Sequence, residues 1–360
     1  MFENNSLHLK NLSFCFISYT GRTERPILDP STRYRSFHPA DELRKLGFFS
    51  VVSSHTEFFN KPNFEYDVYI FHRPSRNIKS PARFDSVISQ LKKKGKILIA
   101  DYDDLIFGDE EIALQSSLSK NGRATKEQCI EIYKNNLSGL EAFDKIIVST
   151  GTLADVIRRF KPMVEVTVLP NFIPSSLLNI YENNSFYQKV RPKGTIGYFA
   201  GTASHNKDIL VVLEPLHRVL VENPSFTLLV VGPVNIPNAL IALPNVVANP
   251  VVNYMRLPSL MQFCETVIAP LEISLFNDCK SRVKFLEAAL SGCRLIATPI
   301  TDMKDVGNDF ISFAETNEDW YNSLSSIPSE ERLMNSRINN FKYLREHCSI
   351  TPLLKMVGIE

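Results

Sequence analysis

The sequence predicts an α/β protein made of two Rossmann-like, doubly wound domains. Short β-branched runs alternate with helical patterns through residues 12–169, and a second alternation of the same kind runs through residues 195–346. Strands that alternate with helices pair in parallel and need helices on both faces of the sheet. At 360 residues the chain is also too long for one modest core. Two domains are therefore expected.

The first domain is assigned to residues 1–170. The long helix predicted there, residues 125–143, places Ile130, Tyr133, Leu137 and Leu140 on one face at helical spacing. The predicted strands are 12–18, 51–52, 67–71, 96–100, 146–149 and 164–169, and the other predicted helices are 40–46, 81–94 and 152–160.

Residues 171–193 are predicted to be a linker, because Pro174, Pro192 and a polar run at residues 183–185 interrupt the pattern. The second domain is assigned to residues 194–360. Its predicted strands are 195–200, 226–231, 246–248, 266–269, 294–297 and 310–313, and its predicted helices are 209–222, 257–263, 281–291 and 330–346.

Composition and charge exclude several classes of protein. The chain is 44% hydrophobic and 22% charged, which is typical of a globular protein and not of a disordered or fibrous one. Its 40 Lys and Arg against 39 Asp and Glu leave a net charge of +1, whereas a nucleic-acid-binding domain is usually strongly basic. No apolar run reaches the roughly 18–20 residues that span a bilayer, and the first ten residues do not resemble a secretory leader. A soluble, cytoplasmic protein is expected.

The six cysteines are scattered, with no CxxC pair and no His at zinc-ligand spacing, so free thiols are expected. The basic run Lys92, Lys93, Lys94 and Lys96 reads either as a solvated helix end or as a contact to anionic lipid or an anionic acceptor.

Ligands of parallel sheets bind at the carboxyl ends of the strands, so the loops that follow strands are informative. After the first strand of the second domain, Gly201 permits close backbone approach and Lys207 can place an ammonium against a diphosphate. The alternative interpretation is an ordinary turn with a surface lysine.

The stretch 277–292 leads from a strand into a helix. Ser281 is a candidate N-cap, and Lys280, Arg282 and Lys284 place three cations in the first turn, where the helix dipole disfavours them. An anionic ligand would relieve that conflict. Glu287 follows, and its carboxylate can accept both hydroxyls of a ribose. The alternative is a simple Lys284–Glu287 surface pair.

Over nearly its whole length the chain resembles GT-B glycosyltransferases of the family 4 type, in particular the bacterial polysaccharide-assembly branch. The last of the matching blocks is the most specific. The blocks are residues 33–35, 39–47, 67–73, 101–105, 196–202 and 277–292. This resemblance implies two Rossmann-like domains that face one another across a cleft.

The resemblance also implies a donor site in the second domain. The second Glu of the family's Glu-x7-Glu motif falls on Glu287, and the first falls on Cys279, where Asn277, Lys280 and Ser281 are expected to stand in. The family also tends to carry an Arg and a Lys that grip the diphosphate. The Lys matches Lys207, but the Arg position is Thr202. The missing cation is expected from Lys280, Lys284 or Arg73, and Lys280 is therefore a candidate catalytic residue beside Asp103 and Asp104. Gly201 and His205 belong to the same phosphate loop as Lys207.

For the acceptor, the resemblance points to the first domain. Asp103 and Asp104 occupy roughly the place of a histidine that faces the acceptor in many relatives, so either carboxylate is a candidate base or orienting group. Tyr19, Arg35 and Arg73 are expected to bind the acceptor, and Arg33 and Arg35 are candidates for binding an anionic acceptor or a phosphate. An acidic cap on a loop is the alternative for the aspartates. GT-B enzymes generally work without a metal, so no metal is expected at Asp101, Asp103 and Asp104.

The resulting hypothesis is a retaining, metal-independent transfer of a sugar from a nucleotide diphosphate sugar to a glycan acceptor. The donor is a substrate, and no separate cofactor is expected. A lipid-linked acceptor, a place in O-antigen or capsule synthesis, peripheral contact with the inner face of the membrane and other assembly enzymes as partners are implied by the resemblance. The departures at Cys279 and Thr202 leave a catalytically inactive scaffold subunit as the alternative. A GT-B epimerase or phosphorylase is a third.

Overall fold

The computed structural model describes residues 12–76, 80–183, 191–201, 207–307 and 309–359. The chain forms two compact units. Unit 1 comprises Met1–Pro174, Cys279–Ser281 and Cys348–Glu360, and unit 2 comprises Ser175–Asp278 and Arg282–His347.

Unit 1 is built on a parallel six-stranded sheet with the order β2-β1-β3-β4-β5-β6. The order reverses direction between β1 and β3, which makes their carboxyl ends the topological switch point where open sheets bind ligands. The strands are β1 Ser13–Ser18, β2 Phe49–Ser54, β3 Val68–His72, β4 Ile97–Tyr102, β5 Lys145–Val148 and β6 Glu165–Val168.

The helices of unit 1 begin at side-chain caps at several places. Thr125 and Gln128, for example, form a capping box at the start of Lys126–Leu140. The helices are Pro30–Thr32, His38–Lys45, His55–Asn60, Pro81–Lys93, Glu110–Gln115, Ser117–Lys120, Lys126–Leu140, Gly151–Phe160 and Thr351–Met356, with a 3-10 turn at Pro26–Leu28 and a π-helical stretch at Arg33–Phe37.

The end of the chain packs on unit 1. Leu353 and Met356 of the helix Thr351–Met356 are buried in the same apolar cluster as Phe14, Phe16 and Ile70 of the sheet. The sequence places residues 348–360 in the second domain, whereas the structure groups Cys348–Glu360 with unit 1. Burial of this short apolar face is the physical reason, because hydrophobic area removed from water stabilises the contact.

Unit 2 holds the second parallel six-stranded sheet, with the order β12-β11-β10-β7-β8-β9. Numbered within the unit, this is the Rossmann order, and its switch point lies between β7 and β10. The strands are β7 Thr195–Phe199, β8 Thr227–Val231, β9 Val246–Asn249, β10 Thr266–Ala269, β11 Arg294–Ala297 and β12 Ile311–Phe313. Two parallel sheets with interleaved helices confirm the predicted α/β architecture.

Some helices of unit 2 differ from the sequence prediction. Ser175–Asn183 is a helix, although the stretch is predicted as linker. The helix predicted over 209–222 is a 3-10 turn, Asp208–Val212, followed by Leu213–Glu222, because Pro215 has no N–H to continue the ladder. The remaining helices are Asn238–Ile241, Leu257–Met261, Leu275–Asp278, Val283–Leu290, Thr301–Lys304, Asn317–Ser325 and Glu330–Glu346, with a 3-10 turn at Tyr254–Arg256.

Gly232 allows the ends of two neighbouring strands of unit 2 to approach each other closely. Gly232, just after β8, has a φ of +125°, and a Cβ built there would lie 1.9 Å from the carbonyl oxygen of Ala200, just after β7. Only glycine allows this approach. Ala200 and Gly232, the residues directly after β7 and β8, therefore pack backbone against backbone.

In the part of the chain that the structure describes, no helix combines the length and apolar character needed to cross a membrane.

Candidate functional site

Three acidic residues and two basic residues meet at the carboxyl ends of β3 and β4 in unit 1. His72 ends β3 and pairs in register with Asp101 of β4. Arg73 follows β3, and Asp103 and Asp104 follow β4. Side chains separated by about thirty positions therefore come together because parallel neighbours end at the same edge of a sheet. We call Arg73, Asp103 and Asp104 the acidic rim.

Arg73 is held over the two carboxylates of the acidic rim. Its Nε donates to Oδ1 of Asp103 at 2.6 Å, and its second amino group lies 3.9 Å from Oδ2 of Asp104. Its backbone has a φ of +56°, which is costly for a long side chain and is typical of functional positions. The backbone N–H donates to the carbonyl oxygen of Asp101 at 2.7 Å. The Arg73 guanidinium, which the sequence predicts to contact the acceptor or to supply the missing cation for the diphosphate, is thus paired with carboxylates of its own unit.

The two carboxylates of the acidic rim differ as acids. Burial would raise the pKa of Asp103, but the charge of Arg73 and the bond to it outweigh that effect and lower the pKa to about 2. For Asp104 burial prevails over the attraction of Arg73 and Lys280, so its pKa is raised. Asp104 is therefore the stronger base of the two and the better acceptor for a substrate proton.

Beneath the acidic rim lies a buried network around Asp101. The Nδ1 of His72 lies 2.8 Å from Oδ2 of Asp101, and both residues are fully buried. Arg35, only 1% exposed, donates from Nε and one amino group to the same carboxylate at 2.5–3.2 Å. Its other amino group donates to the carbonyl oxygen of Leu169 and to Oδ1 of Asn171. Arg35, predicted to contact the acceptor, is instead buried and bound within the protein.

Tyr19 follows β1, at the switch point of the sheet in unit 1. Its ring stacks on the ring of His55 at a centroid distance of 4.8 Å and meets Phe59 edge-on. Burial raises the pKa of the Tyr19 phenol well above its usual range, so the hydroxyl keeps its proton and can serve as a hydrogen-bond donor at neutral pH.

The segment Cys279–Ser281 packs within unit 1. Thr150 donates from Oγ1 to the carbonyl oxygen of Cys279 at 3.1 Å, and Asn171 donates from Nδ2 to Oγ of Ser281 at 2.8 Å. Cys279 is fully buried. Lys280 interacts electrostatically with Asp104. The structure therefore brings two predicted catalytic residues, Lys280 and Asp104, into the same charged cluster.

Ser281 is not the N-cap that the sequence predicts. The helix begins at Val283, and Arg282 precedes it without capping through its side chain. Instead, the carboxylate of Asp302 accepts the backbone N–H of Arg282 at 2.6 Å. The cap comes from a residue twenty positions away, which the local pattern could not show.

Arg282 is a structural residue of unit 2. Its guanidinium donates to both carboxylate oxygens of Asp302 at 2.6 and 3.0 Å and to the hydroxyl of Tyr343 at 2.7 Å. Both partners of the ion pair are largely buried. One of the three cations predicted to need an anionic ligand is thus neutralised by a carboxylate of the protein.

Lys284 and Glu287 form an ion pair on the helix Val283–Leu290, with Nζ donating to Oε2 at 2.9 Å. Glu287 is 12% exposed and Lys284 is 27% exposed. This is the surface pair that the sequence offers as one of two interpretations. A carboxylate has about four lone-pair sites, so Glu287 can accept further hydrogen bonds beside Lys284.

The remaining predicted donor residues are placed differently. Lys207 and Gly201 are exposed on either side of the loop that follows β7. Asn277 is 5% exposed and donates from Nδ2 to the carbonyl oxygen of Glu272 at 2.7 Å, so it braces the loop after β10. Thr202 and His205 lie outside the described residues.

Unit 2 contains a pocket of about 450 Å³ that the sequence does not predict. It lies at the carboxyl ends of β10 and β11, and one wall is the loop that leads to the donor stretch. Thr301 donates from its N–H and Oγ1 to Asp278 at 2.8–2.9 Å and closes one side. The lining residues are Ile273, Ser274, Leu275, Asp278, Thr298, Pro299, Ile300, Thr301, Lys304 and Glu315.

Within the described ranges, no group of three or more His, Cys, Asp or Glu side chains is arranged to hold a metal ion. At the carboxyl ends of β3 and β4 in unit 1, two neighbouring arginines account for this absence. Asp101 is bound by Arg35 and Asp103 by Arg73, so fixed cations already neutralise the carboxylates.

Comparison with known proteins gives structural relatives only. No protein-family model matches the chain, and no curated protein sequence matches it.

Several solved structures share the fold. Sucrose-phosphate synthase from Thermosynechococcus elongatus is similar over 97% of this chain and 98% of its own, with 13% identity and a TM-score of 0.62. WaaG, a glycosyltransferase involved in lipopolysaccharide biosynthesis, is similar over 93% of this chain and 95% of its own, with 13% identity and a TM-score of 0.52. TarM from S. aureus, in complex with fondaparinux, alpha-GlcNAc-glycerol and UDP, is similar over 80% of this chain, with 11% identity and a TM-score of 0.53.

The chain spans about half the length of TarM and of the pneumococcal O-GlcNAc transferase GtfA, covering 54% and 55% of them. The two parallel sheets and these likenesses together define the GT-B glycosyltransferase fold. At these identities the likeness concerns the fold and not the substrates.

Proposed function

We propose that this protein is a glycosyltransferase that moves a sugar from a nucleoside diphosphate sugar to a glycan acceptor. The observation that carries the proposal is the stretch 277–287, which follows β10 at the switch point of a Rossmann-ordered sheet. It presents Lys280, Ser281 and Lys284 and then the partly exposed carboxylate of Glu287. Fixed cations followed by a carboxylate suit a diphosphate joined to a ribose.

In this proposal the donor diphosphate is bound by Lys280, Ser281 and Lys284, with Lys207 and the loop at Gly201, Thr202 and His205 as further contacts. Glu287 accepts the ribose hydroxyls. Asn277 shapes the loop. The TarM and GtfA structures named above contain UDP, which supports a nucleoside diphosphate as the ligand class.

The acceptor is proposed to bind at the carboxyl ends of β1, β3 and β4, near Tyr19 and the acidic rim. Asp104, whose pKa is raised by burial, orients or deprotonates the acceptor hydroxyl. Asp103 and Arg73 hold the rim in place. Because both arginines predicted to contact the acceptor are paired with carboxylates, a neutral hydroxylated acceptor group suits this surface better than an anionic one.

The reaction breaks the bond between the anomeric carbon and the diphosphate oxygen and forms a bond from that carbon to the acceptor oxygen. The acceptor proton passes to Asp104 or to the departing diphosphate. Lys280 and Lys284 stabilise the negative charge that develops on the leaving group, a task that fixed cations perform without a metal. Retention of anomeric configuration is proposed from the family resemblance.

The pathway is proposed to be bacterial surface polysaccharide assembly with a lipid-linked acceptor, such as O-antigen or capsule synthesis, at the cytoplasmic face of the membrane. The resemblance supports it, and WaaG provides one lipopolysaccharide example of the same fold.

The test is a screen of UDP-, GDP-, ADP- and dTDP-sugars by thermal shift, followed by transfer assays with lipid-linked and free glycan acceptors. Stabilisation by one donor and transfer to an acceptor would support the proposal. Stabilisation without transfer or hydrolysis would favour the inactive scaffold. Stabilisation by none of the donors would contradict the proposed donor site.

A further inference from the structure

A chain of hydrogen bonds, buried up to its last and partly buried member, runs through unit 1 to Ser281. It begins at Asp101, passes through Arg35 and Asn171, and ends at the Ser281 hydroxyl. The exposed fractions are 0% for Asp101, 1% for Arg35 and 5% for Asn171. We call these four residues the Arg35 relay. Buried networks of this kind are costly unless every member is paired, so their geometry is specific.

The hydrogen-bond donors and acceptors of the Arg35 relay can be assigned in only one way, and we call this order its direction. A guanidinium donates and never accepts, so the 3.1 Å contact between Arg35 and Asn171 places the carboxamide oxygen toward Arg35. The amide nitrogen of Asn171 must then face Ser281, 2.8 Å away, and donate to its Oγ. Asp101, which accepts from Arg35 on both oxygens, fixes the guanidinium at the other end.

This direction decides what the Ser281 hydroxyl can do. A hydroxyl has one proton and two lone pairs, and Asn171 already donates to one of the lone pairs. Ser281 therefore retains its own proton for a different acceptor. Ser281 is only partly buried and sits directly after Lys280, in the stretch proposed to bind the diphosphate.

We propose that the Arg35 relay sets Ser281 as a dedicated hydrogen-bond donor to an anionic oxygen of the sugar-nucleotide diphosphate, with Asn171 and Arg35 as positioning residues. This inference rests on the proposed donor site. It assigns to Arg35 and Asn171 a role in donor recognition although neither touches the donor.

The Asn171→Asp variant tests the direction of the relay. The new carboxylate keeps the shape of the side chain and gains an ion pair with Arg35, so folding is expected to persist. Because a carboxylate cannot donate, Ser281 must donate its proton to that carboxylate and can no longer offer it to the ligand. Since a hydrogen bond to a charged group is lost, affinity for the nucleoside diphosphate is expected to fall about tenfold or more at pH 8.

Calorimetry would be run with UDP, GDP, ADP and dTDP on the full chain, for wild type, Asn171→Asp, Ser281→Ala and the double variant. The relay predicts that Asn171→Asp weakens binding strongly in wild type and very little in the Ser281→Ala background. An equal loss in both backgrounds would mean that the new charge repels the ligand directly, and would overturn the relay.

The control is Asn136→Asp, the same chemical change at another buried asparagine of unit 1, where Nδ2 donates to the carbonyl oxygen of Ile106. It is expected to lower the unfolding temperature and leave nucleotide affinity unchanged. Unchanged affinity in Asn171→Asp would refute the relay while the donor site stands. If wild type binds none of the four nucleotides, the donor site and the relay are both refuted.

Discussion

Arg73 donates from Nε to Oδ1 of Asp103 across 2.6 Å, from a backbone with a φ of +56°. The pair places a strained arginine directly over a carboxylate that is only 10% exposed. The strain is maintained because the surrounding bonds, including the one from the Arg73 N–H to the carbonyl oxygen of Asp101, outweigh it. These hydrogen bonds therefore hold the acidic rim of unit 1 in a defined geometry.

Acid stability should depend on this pair. The pKa of Asp103 is about 2 in the folded protein and about 3.9 in an unfolded chain, so the unfolded state binds more protons between these values. The stabilisation is complete above the unfolded value and is lost as pH falls through about 2. Arg73→Met removes the charge and the hydrogen bond that do most to lower the pKa of Asp103, so that pKa rises. The midpoint of acid unfolding, followed by circular dichroism, should therefore move to higher pH.

Arg158→Met is the matched control, because Arg158 pairs with Asp155 on an exposed helix surface. Its acid midpoint should stay at the wild-type value. An Arg73→Met midpoint equal to that of wild type would contradict the assigned cause of the low Asp103 pKa.

The ion pair of Arg282 and Asp302 should contribute to the stability of unit 2. Asp302→Asn leaves a largely buried guanidinium without its anionic partner, so the free energy of unfolding should fall by about 3 kcal/mol in a denaturant titration. Asp305→Asn removes an exposed carboxylate 3.9 Å from the same guanidinium and should cost less than about 0.5 kcal/mol. Equal effects of the two changes would show that Arg282 is not held by Asp302.

Gly232→Ala should disrupt the carboxyl ends of β7 and β8. The new Cβ would lie 1.9 Å from the carbonyl oxygen of Ala200, at a φ of +125° that side chains rarely adopt, so a loss of about 3 kcal/mol or more is expected. Gly151→Ala, where the new Cβ meets nothing within 4 Å, should change stability by less than about 0.5 kcal/mol. Thermal unfolding of both variants checks this, and wild-type stability in Gly232→Ala would refute the close approach.

Transfer activity should not need a divalent metal. The carboxylates that could have held one, Asp101 and Asp103, are bound by Arg35 and Arg73. Activity measured in excess chelator should equal the untreated rate. If activity is lost in chelator and restored by magnesium or manganese, the proposal that the lysines stabilise the departing diphosphate is contradicted.

The alternation of strands and helices is enough to predict both sheets, because periodicity is a local signal. The predicted strand 266–269 and the predicted helix 330–346 even match the structure at their ends. The sequence does not predict the helix Thr351–Met356, since a short apolar stretch gains its stability from packing on unit 1.

The chemistry of the site is harder to predict than the fold. Lys284 and Glu287 are three positions apart, so their pairing is readable from the sequence. Arg35 is 66 positions from Asp101 and Arg282 is 20 from Asp302. No local sequence pattern shows that a distant carboxylate neutralises these arginines. From the sequence alone, each therefore resembles an unpaired cation that could bind an anionic ligand.

In the proposed donor site, Glu287 holds the ribose of a sugar nucleotide. Calorimetry with a ribonucleoside diphosphate and its 2′-deoxy counterpart tests it most directly, in wild type and in Glu287→Ala. We predict that wild type prefers the ribonucleotide by about tenfold, because a hydrogen bond to a charged carboxylate is at stake, and that Glu287→Ala binds both equally. An unchanged preference in Glu287→Ala would contradict the claim.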